Sequence, residues 1–351
     1  MSEQGFEFEN PYHSPQHQEP QPPHGVLSLI VDQECRLHTI WRFCVFGVGF
    51  IFIELVGGIA ALICLLVYYA AIGEQFPLER LTSQDASFHV VLMIAASPWL
   101  ALFGFGLAVL CRLLLDRRSI ASMGFVWPAR RLSSSILIGF LLGLAPILIG
   151  AAAIFALGGY DLQDSAMTGL TLLLIPCLVL AAFHEEVIFR SYLLQNLLDA
   201  RKPVFGVLFT SVVFWLVHSL NPHAWSTPLV GVNLFGAGVV LALAYMVSQN
   251  IWFPTVMHFA WNFAQGVLLS VPVSGIPIQG ALKLELNGTL PDWLTGGQFG
   301  FEGSPICTVT IIAITFLLIG MLKLRKEREP FHVPLDDGDD DSDQSLAAEV
   351  L

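Results

Sequence analysis

Apolar runs of membrane-spanning length recur along this chain, near residues 41–71, 88–114, 133–157, 168–197, 204–219, 229–248, 252–271 and 306–324. About 20 apolar residues in a helix cross the hydrocarbon core of a bilayer, and the helix satisfies its own backbone there. The pattern therefore predicts an all-α fold, a polytopic transmembrane helical bundle of about eight spans. Composition agrees: 55% of the residues are hydrophobic and 13% charged, too little charge for an ordinary soluble domain. The formal net charge of −12 is concentrated in the tails and says little about partners. The bilayer is the one partner that composition demands, and no nucleic-acid partner is expected.

Charge between the runs sets the orientation. Arg112, Arg117, Arg118, Arg130 and Arg131 fall between the second and third runs. Arg201 and Lys202 follow the fourth, and Lys323, Arg325, Lys326 and Arg328 follow the eighth. The alternate connections carry Asp161 and Asp164, or Glu285 and Asp292. Basic connections stay inside, so both termini are expected in the cytoplasm. Localisation follows: a multi-pass integral membrane protein, in the plasma or inner membrane if the source is bacterial.

Three regions are expected. Residues 1–38 are a polar tail rich in Pro, Gln, Glu and His, too poor in apolar side chains to fold alone. Its opening lacks the basic-then-apolar form of a signal peptide. Residues 39–327 form the transmembrane domain, and 328–351 an acidic tail around Asp336-Asp337-Gly338-Asp339-Asp340-Asp341. The connection 272–305, with Gly296-Gly297 and several prolines, reads as a lid, a re-entrant element or an outer loop. Cys35, Cys44, Cys64, Cys111, Cys177 and Cys307 are scattered without close pairs, as small hydrophobes are.

Against this background, ionisable groups inside the runs stand out. A charge at membrane depth costs about 2.5–3.5 kcal/mol on insertion scales, so such groups face a protein interior or a wet cavity. Phe183-His184-Glu185-Glu186-Val187-Ile188-Phe189-Arg190 lies within the fourth run. Glu186 and Arg190 are spaced i, i+4 and can pair, while Glu185 projects about 100° away and stays free. The fifth run offers Phe214 and His218, and the seventh His258 and Asn262, again at i, i+4. Each has a plainer reading taken singly. His218 could be a helix–helix hydrogen-bonding residue, and Phe214 could be ordinary packing. His184 reads as structural, and Glu54 of the first run as a buried or interfacial polar contact. The three pairs together, in this order on three apolar helices, are hard to obtain by chance.

Glu185-Glu186-x-x-x-Arg190, Phe214-x-x-x-His218 and His258-x-x-x-Asn262 resemble the motifs of the CPBP family of CAAX-protease and bacteriocin-processing intramembrane proteases. That family is related to the type II CAAX prenyl endopeptidase. The resemblance covers roughly residues 90–271, with Gly124-Phe125 included and Ser191 standing where the family often has Gly. It implies an intramembrane endopeptidase acting on a peptide or protein substrate at the membrane. Glu185 and His218 would activate water, His258 and Asn262 would donate to the oxyanion, and Glu186, Arg190 and Phe214 would orient the site. The cofactor is open. Glu185, His218 and His258 could ligate zinc as a two-His, one-carboxylate set, yet no H-E-x-x-H is present, and a metal-independent glutamate site is the favoured expectation. Two other functions stand beside this one. A catalytically idle scaffold or immunity-type protein would keep the fold, and a proton-coupled transporter would string polar groups across the full membrane depth.

Overall fold

The computed structural model describes residues 36–77, 86–125, 129–164 and 167–328. The expected tails at 1–38 and 328–351 lie almost wholly outside these residues, as do Cys35 and the side chains of Arg130, Arg131, Lys326 and Arg328.

All eight apolar runs are helices. They are α1 Thr39–Ala71, α2 Ala86–Leu114, α3 Ala129–Ala156, α4 Gly169–Asp199, α5 Pro203–His218, α6 Pro228–Ser248, α7 Trp252–Asn262 and α8 Pro305–Arg328. Their starts are written locally. Thr168 caps α4 through a reciprocal box with Thr171, and α5 and α6 open on Pro203 and Pro228, whose missing N–H costs nothing in a first turn. Six of the eight are long and apolar enough to cross a membrane. The exceptions are α5, with 16 residues, and α7, with 11 residues continued by a six-residue π-helical stretch, Phe263–Leu268. Of the about eight spans expected, six are thus full-length helices and two are short ones. The two short helices carry His218, His258 and Asn262; the chain after α7 is mostly buried, whereas the turn after α5 exposes Leu220 and Trp225.

Helix packing follows a chain of neighbours: α1 on α2, α2 on α4, α3 on α7, and both α5 and α8 on α6. Small residues allow the closest approaches. At Gly238 of α6 a Cβ would stand 2.7 Å from the Ser211 Cα of α5, so any larger residue would push the two helices apart. The outer faces are apolar, as bilayer contact requires: Val48, Ile51, Phe52, Leu55 and Ile59 of α1 are all exposed. The protein is thus an integral, multi-pass helical bundle.

The connection after α7 folds as a cap on the bundle. Its strand β2 (Lys283–Leu286) pairs antiparallel with β1 (Tyr160–Gln163) from the α3–α4 connection, Tyr160 opposite Leu286 and Gln163 opposite Lys283. Phe299 and Phe301 are buried, and Phe301 packs beside Trp261 of α7. Far from an unstructured loop, this connection is folded and packed on the bundle.

A second departure concerns Arg112. Counted from sequence as a charge of the basic connection, it is completely buried at the end of α2. It pairs with Asp116 at 3.1 Å and Asp199 at 2.8 Å, and donates to Ser122. Arg42 of α1 reaches the same Asp116 at 3.1 Å and Asn196 at 2.7 Å. With Arg118 also 3.9 Å from Asp199, three guanidiniums share two carboxylates and tie α1, α2 and α4 together at this end. Buried ions persist only when paired this way.

Candidate functional site

The site begins with a helical hairpin. Glu185 stands 14 residues before Asp199 at the end of α4, and His218 stands 15 residues after Pro203 at the start of α5. At about 1.5 Å per residue, both lie roughly 21–23 Å from the turn that joins the helices. The two side chains therefore share a depth. From sequence, Glu185 reads as nearer the cytoplasmic end of the fourth run, which ends before Arg201, and His218 as ending a run that leads outward from Pro203. In the structure Glu185 is near the middle of the 31-residue α4, so the two depths agree.

Immediately after Glu186 the backbone of α4 widens into an eight-residue π-helical stretch, Val187–Leu194. Another follows Asn262 at once, from Phe263. Stretches of this kind are rare and frequent at functional sites. Neither is visible in apolar spacing, because a wide turn still leaves i and i+4 near one face.

Glu186 and Arg190 pair as expected, at 3.0 Å, both fully buried. Arg190 also donates to the Gly238 carbonyl at 3.2 Å and lies 4.9 Å over the Phe214 ring. The same Glu186 Oε1 meets His258 Nδ1 at 2.9 Å. Glu186 thus spans 72 residues of sequence to fix an imidazole on α7. Phe214 stacks on His218, ring centroids 4.2 Å apart, and its own carbonyl accepts from His218 Nδ1 at 2.9 Å. A carbonyl can only accept, so Nδ1 of His218 carries the hydrogen and Nε2 of the neutral ring is free to accept.

Glu185 completes the arrangement. Its Oε2 is 3.6 Å from His218 Nε2 and 4.0 Å from His258 Nε2, and it has no hydrogen-bond partner among the described residues. The side chain is 27% exposed, while its neighbour Glu186 is sealed. One carboxylate is committed to structure and the other is held open between two imidazoles.

Asn262 lines a cavity together with His218 and His258, and Glu185 is not among the residues that line it. Its polar lining is His218, His258, Asn262, Asn233, Ser274 and Glu302, and its remaining walls are apolar side chains of α6, α7 and α8 such as Leu234, Leu241 and Ile311. The Asn262 amide has no hydrogen-bond partner among the described residues.

His184 and Glu54 are not in this group. They bond each other, Nε2 to Oε1 at 2.9 Å, pinning α1 to α4. Sequence had treated the two separately. Ser191 is fully buried, with its hydroxyl unpartnered among the described residues. Among the described residues five cysteines are free. Missed altogether was Glu302, an acid of the cap. The only available signal was a carboxylate set between the loop glycines Gly300 and Gly303 just before the last apolar run.

A zinc ion was one expectation. Among the described residues no three His, Cys, Asp or Glu side chains form a metal-ligand set. The separations of 3.6 and 4.0 Å from Glu185 exceed the roughly 3.4 Å between two donors of a tetrahedral ion with bonds of about 2.1 Å. As arranged, the three side chains are spread wider than a tetrahedral ion requires.

Residues 167–264 match the family described as type II CAAX prenyl endopeptidase Rce1-like. The matched stretch runs from the start of α4 past Asn262, so it contains every motif residue and excludes the cap and α8. No curated protein matches the chain.

Proposed function

We propose that this protein is an intramembrane endopeptidase that hydrolyses a peptide bond with water activated by Glu185 and His218. The observation that carries the reading is the unpartnered Glu185 Oε2, 3.6 Å from an acceptor nitrogen of His218. That gap is too long for a direct hydrogen bond, and with Oε2 itself sealed the attacking water reaches the pair from the exposed part of the Glu185 side chain, which is 27% exposed.

Glu185 takes a proton as the water oxygen adds to the scissile carbonyl carbon. The carbonyl oxygen becomes an oxyanion, for which the free amide N–H of Asn262 is the available donor. His258 adds a second donor when its Nε2 carries a hydrogen. The protonated Glu185 then returns its proton to the leaving nitrogen as the carbon–nitrogen bond breaks. Water is consumed, and an acid and an amine are released. Glu186 and Arg190 orient the site from behind His258, and Phe214, which also lines the cavity, stacks on His218.

The family match over residues 167–264 supports this reaction class. The clustering of polar groups at one depth favours it over a transporter, which needs them along a path. An idle scaffold has no use for an unpaired carboxylate held between two imidazoles.

Membranes from cells carrying the wild-type chain or Glu185→Gln would be compared by labelling new protein N-termini. Gln keeps the shape and loses the base, so termini present only with the wild type are expected while both chains fold equally. Identical sets of termini would refute the reading.

A further inference from the structure

Outside the family-matched stretch, the cap places a buried carboxyl, Glu302, against the cavity that holds His218, His258 and Asn262. Its surroundings are built. Glu302 Oε2 accepts from the Ser274 backbone N–H at 2.6 Å and from Gln265 Nε2 at 3.2 Å, and Oε1 accepts from the Ser274 hydroxyl at 3.2 Å. Asn233 of α6 holds the Glu302 carbonyl at 2.7 Å, so the residue is anchored to the bundle floor.

Each bonded partner leads to the site. Val273 and Ile276 pair across a two-residue turn in which Ser274 has φ +47° and Gly275 φ +82°. Such a turn places two residues in the left-handed region, natural for Gly275 and strained for Ser274. The first turn residue has its N–H unused within the turn, and Glu302 takes it. The Ser274 carbonyl in turn accepts from Asn221 Nδ2 at 3.1 Å. Asn221 bonds through its own backbone N–H to the His218 carbonyl at 3.0 Å. The other arm, Gln265, is fully buried three residues past Asn262 in the π stretch that ends the His258 helix. It also donates to the Pro272 carbonyl.

We propose that Glu302 is a positioning residue: through Ser274 and Asn221 it fixes the end of α5 that carries His218, and through Gln265 the end of the helix that carries His258 and Asn262. A carboxyl is suited to this because one planar group accepts three bonds from two directions. The inference deepens the proposed reaction and rests on it for the role of His218, but the contacts are testable without any substrate.

The test uses the full chain in detergent and the acylation of neutral imidazole by diethyl pyrocarbonate, followed residue by residue with mass spectrometry. Glu302→Ala strands the Ser274 N–H and leaves the Gln265 amide only its bond to Pro272, and should raise the reactivity of His218 by about tenfold, the population effect of losing one such bond. Glu302→Gln can still accept from Ser274 N–H and Gln265 and donate to the Ser274 hydroxyl, so it should stay within about twofold of wild type. Asn221→Ala cuts the same link from the other end without touching Glu302, and reads it even if Glu302→Ala fails to fold. The double variant should add little beyond either single one, since residues of one bonded chain are not additive. His218 reactivity unchanged in both single variants, or Glu302→Gln behaving like Glu302→Ala, would overturn the proposal. Additive effects of the two changes would overturn it too. Absence of any cleavage by the wild type would instead count against the proposed reaction and leave this readout untouched.

Discussion

Arg190→Ala removes the guanidinium from the most enclosed charge cluster of the site. In the intact protein, Glu186 Oε1 has two partners, Arg190 at 3.0 Å and His258 Nδ1 at 2.9 Å, while Oε2 has none among the described residues. Without Arg190, a fully buried carboxylate keeps one partner. Breaking a buried pair from one side typically costs about 3–5 kcal/mol, and the residual bond from His258 places this case near 3. The Gly238 carbonyl also loses its donor, and the void under Phe214 adds a packing loss. At about 1.4 kcal/mol per tenfold, 3 kcal/mol lowers the folded-to-unfolded ratio by about a hundredfold. Size-exclusion of the detergent-solubilised chain after graded heating should therefore show a lower melting midpoint and a lower yield. Arg190→Met combined with Glu186→Gln should recover most of the stability, because replacing both members of a buried pair by neutral groups of similar volume is often harmless. The Gln oxygen can still accept from His258 Nδ1. A normal midpoint for Arg190→Ala together with abolished cleavage would refute this assignment and make Arg190 part of the chemistry.

Three further outcomes are expected. Residues 290 and 340 should label from opposite sides of the membrane, because the basic connections then share the cytoplasmic face; labelling from one side would refute the orientation. Burial pushes the Glu302 carboxyl above its ordinary value of 4.5, against the bonds from Ser274 and Gln265 that pull it down. A carboxyl raised by folding contributes stability that is complete below about 4.5 and is lost as pH rises through the folded value. The melting midpoint of the wild type should thus fall over that rise and that of Glu302→Gln should not; equal slopes would remove Glu302 from the account. Cleavage should survive metal chelators, and a loss restored by added zinc would show that the donors of Glu185, His218 and His258 close around an ion after all.

Much of the site was legible from sequence because charge in hydrocarbon is costly wherever it occurs. Glu185, Glu186, Arg190, His218 and His258 stand out against apolar runs without any knowledge of packing. The Glu186–Arg190 pair needed only helical spacing, and the helices themselves needed only the length of the runs. The shared depth of Glu185 and His218 was not read from sequence, which set Glu185 nearer the cytoplasmic end of its run; it follows from α4 running on to Asp199.

Tertiary structure decided the rest. That Glu186 serves His258 across 72 residues, that Glu54 answers His184, and that Arg112 is spent on Asp116 and Asp199 depend on which helix faces meet. The nearly uniform apolarity of α1, α4 and α6 leaves those faces unmarked in sequence. Nor could spacing reveal the π stretches after Glu186 and Asn262, or bring Glu302 to the cavity from a cap that carries no periodic signal. A hydrophobic pattern records only local preference and exposure to lipid. Partners far apart in the chain are fixed by close packing and by the need of every buried polar group for a bond, conditions that only the assembled bundle sets.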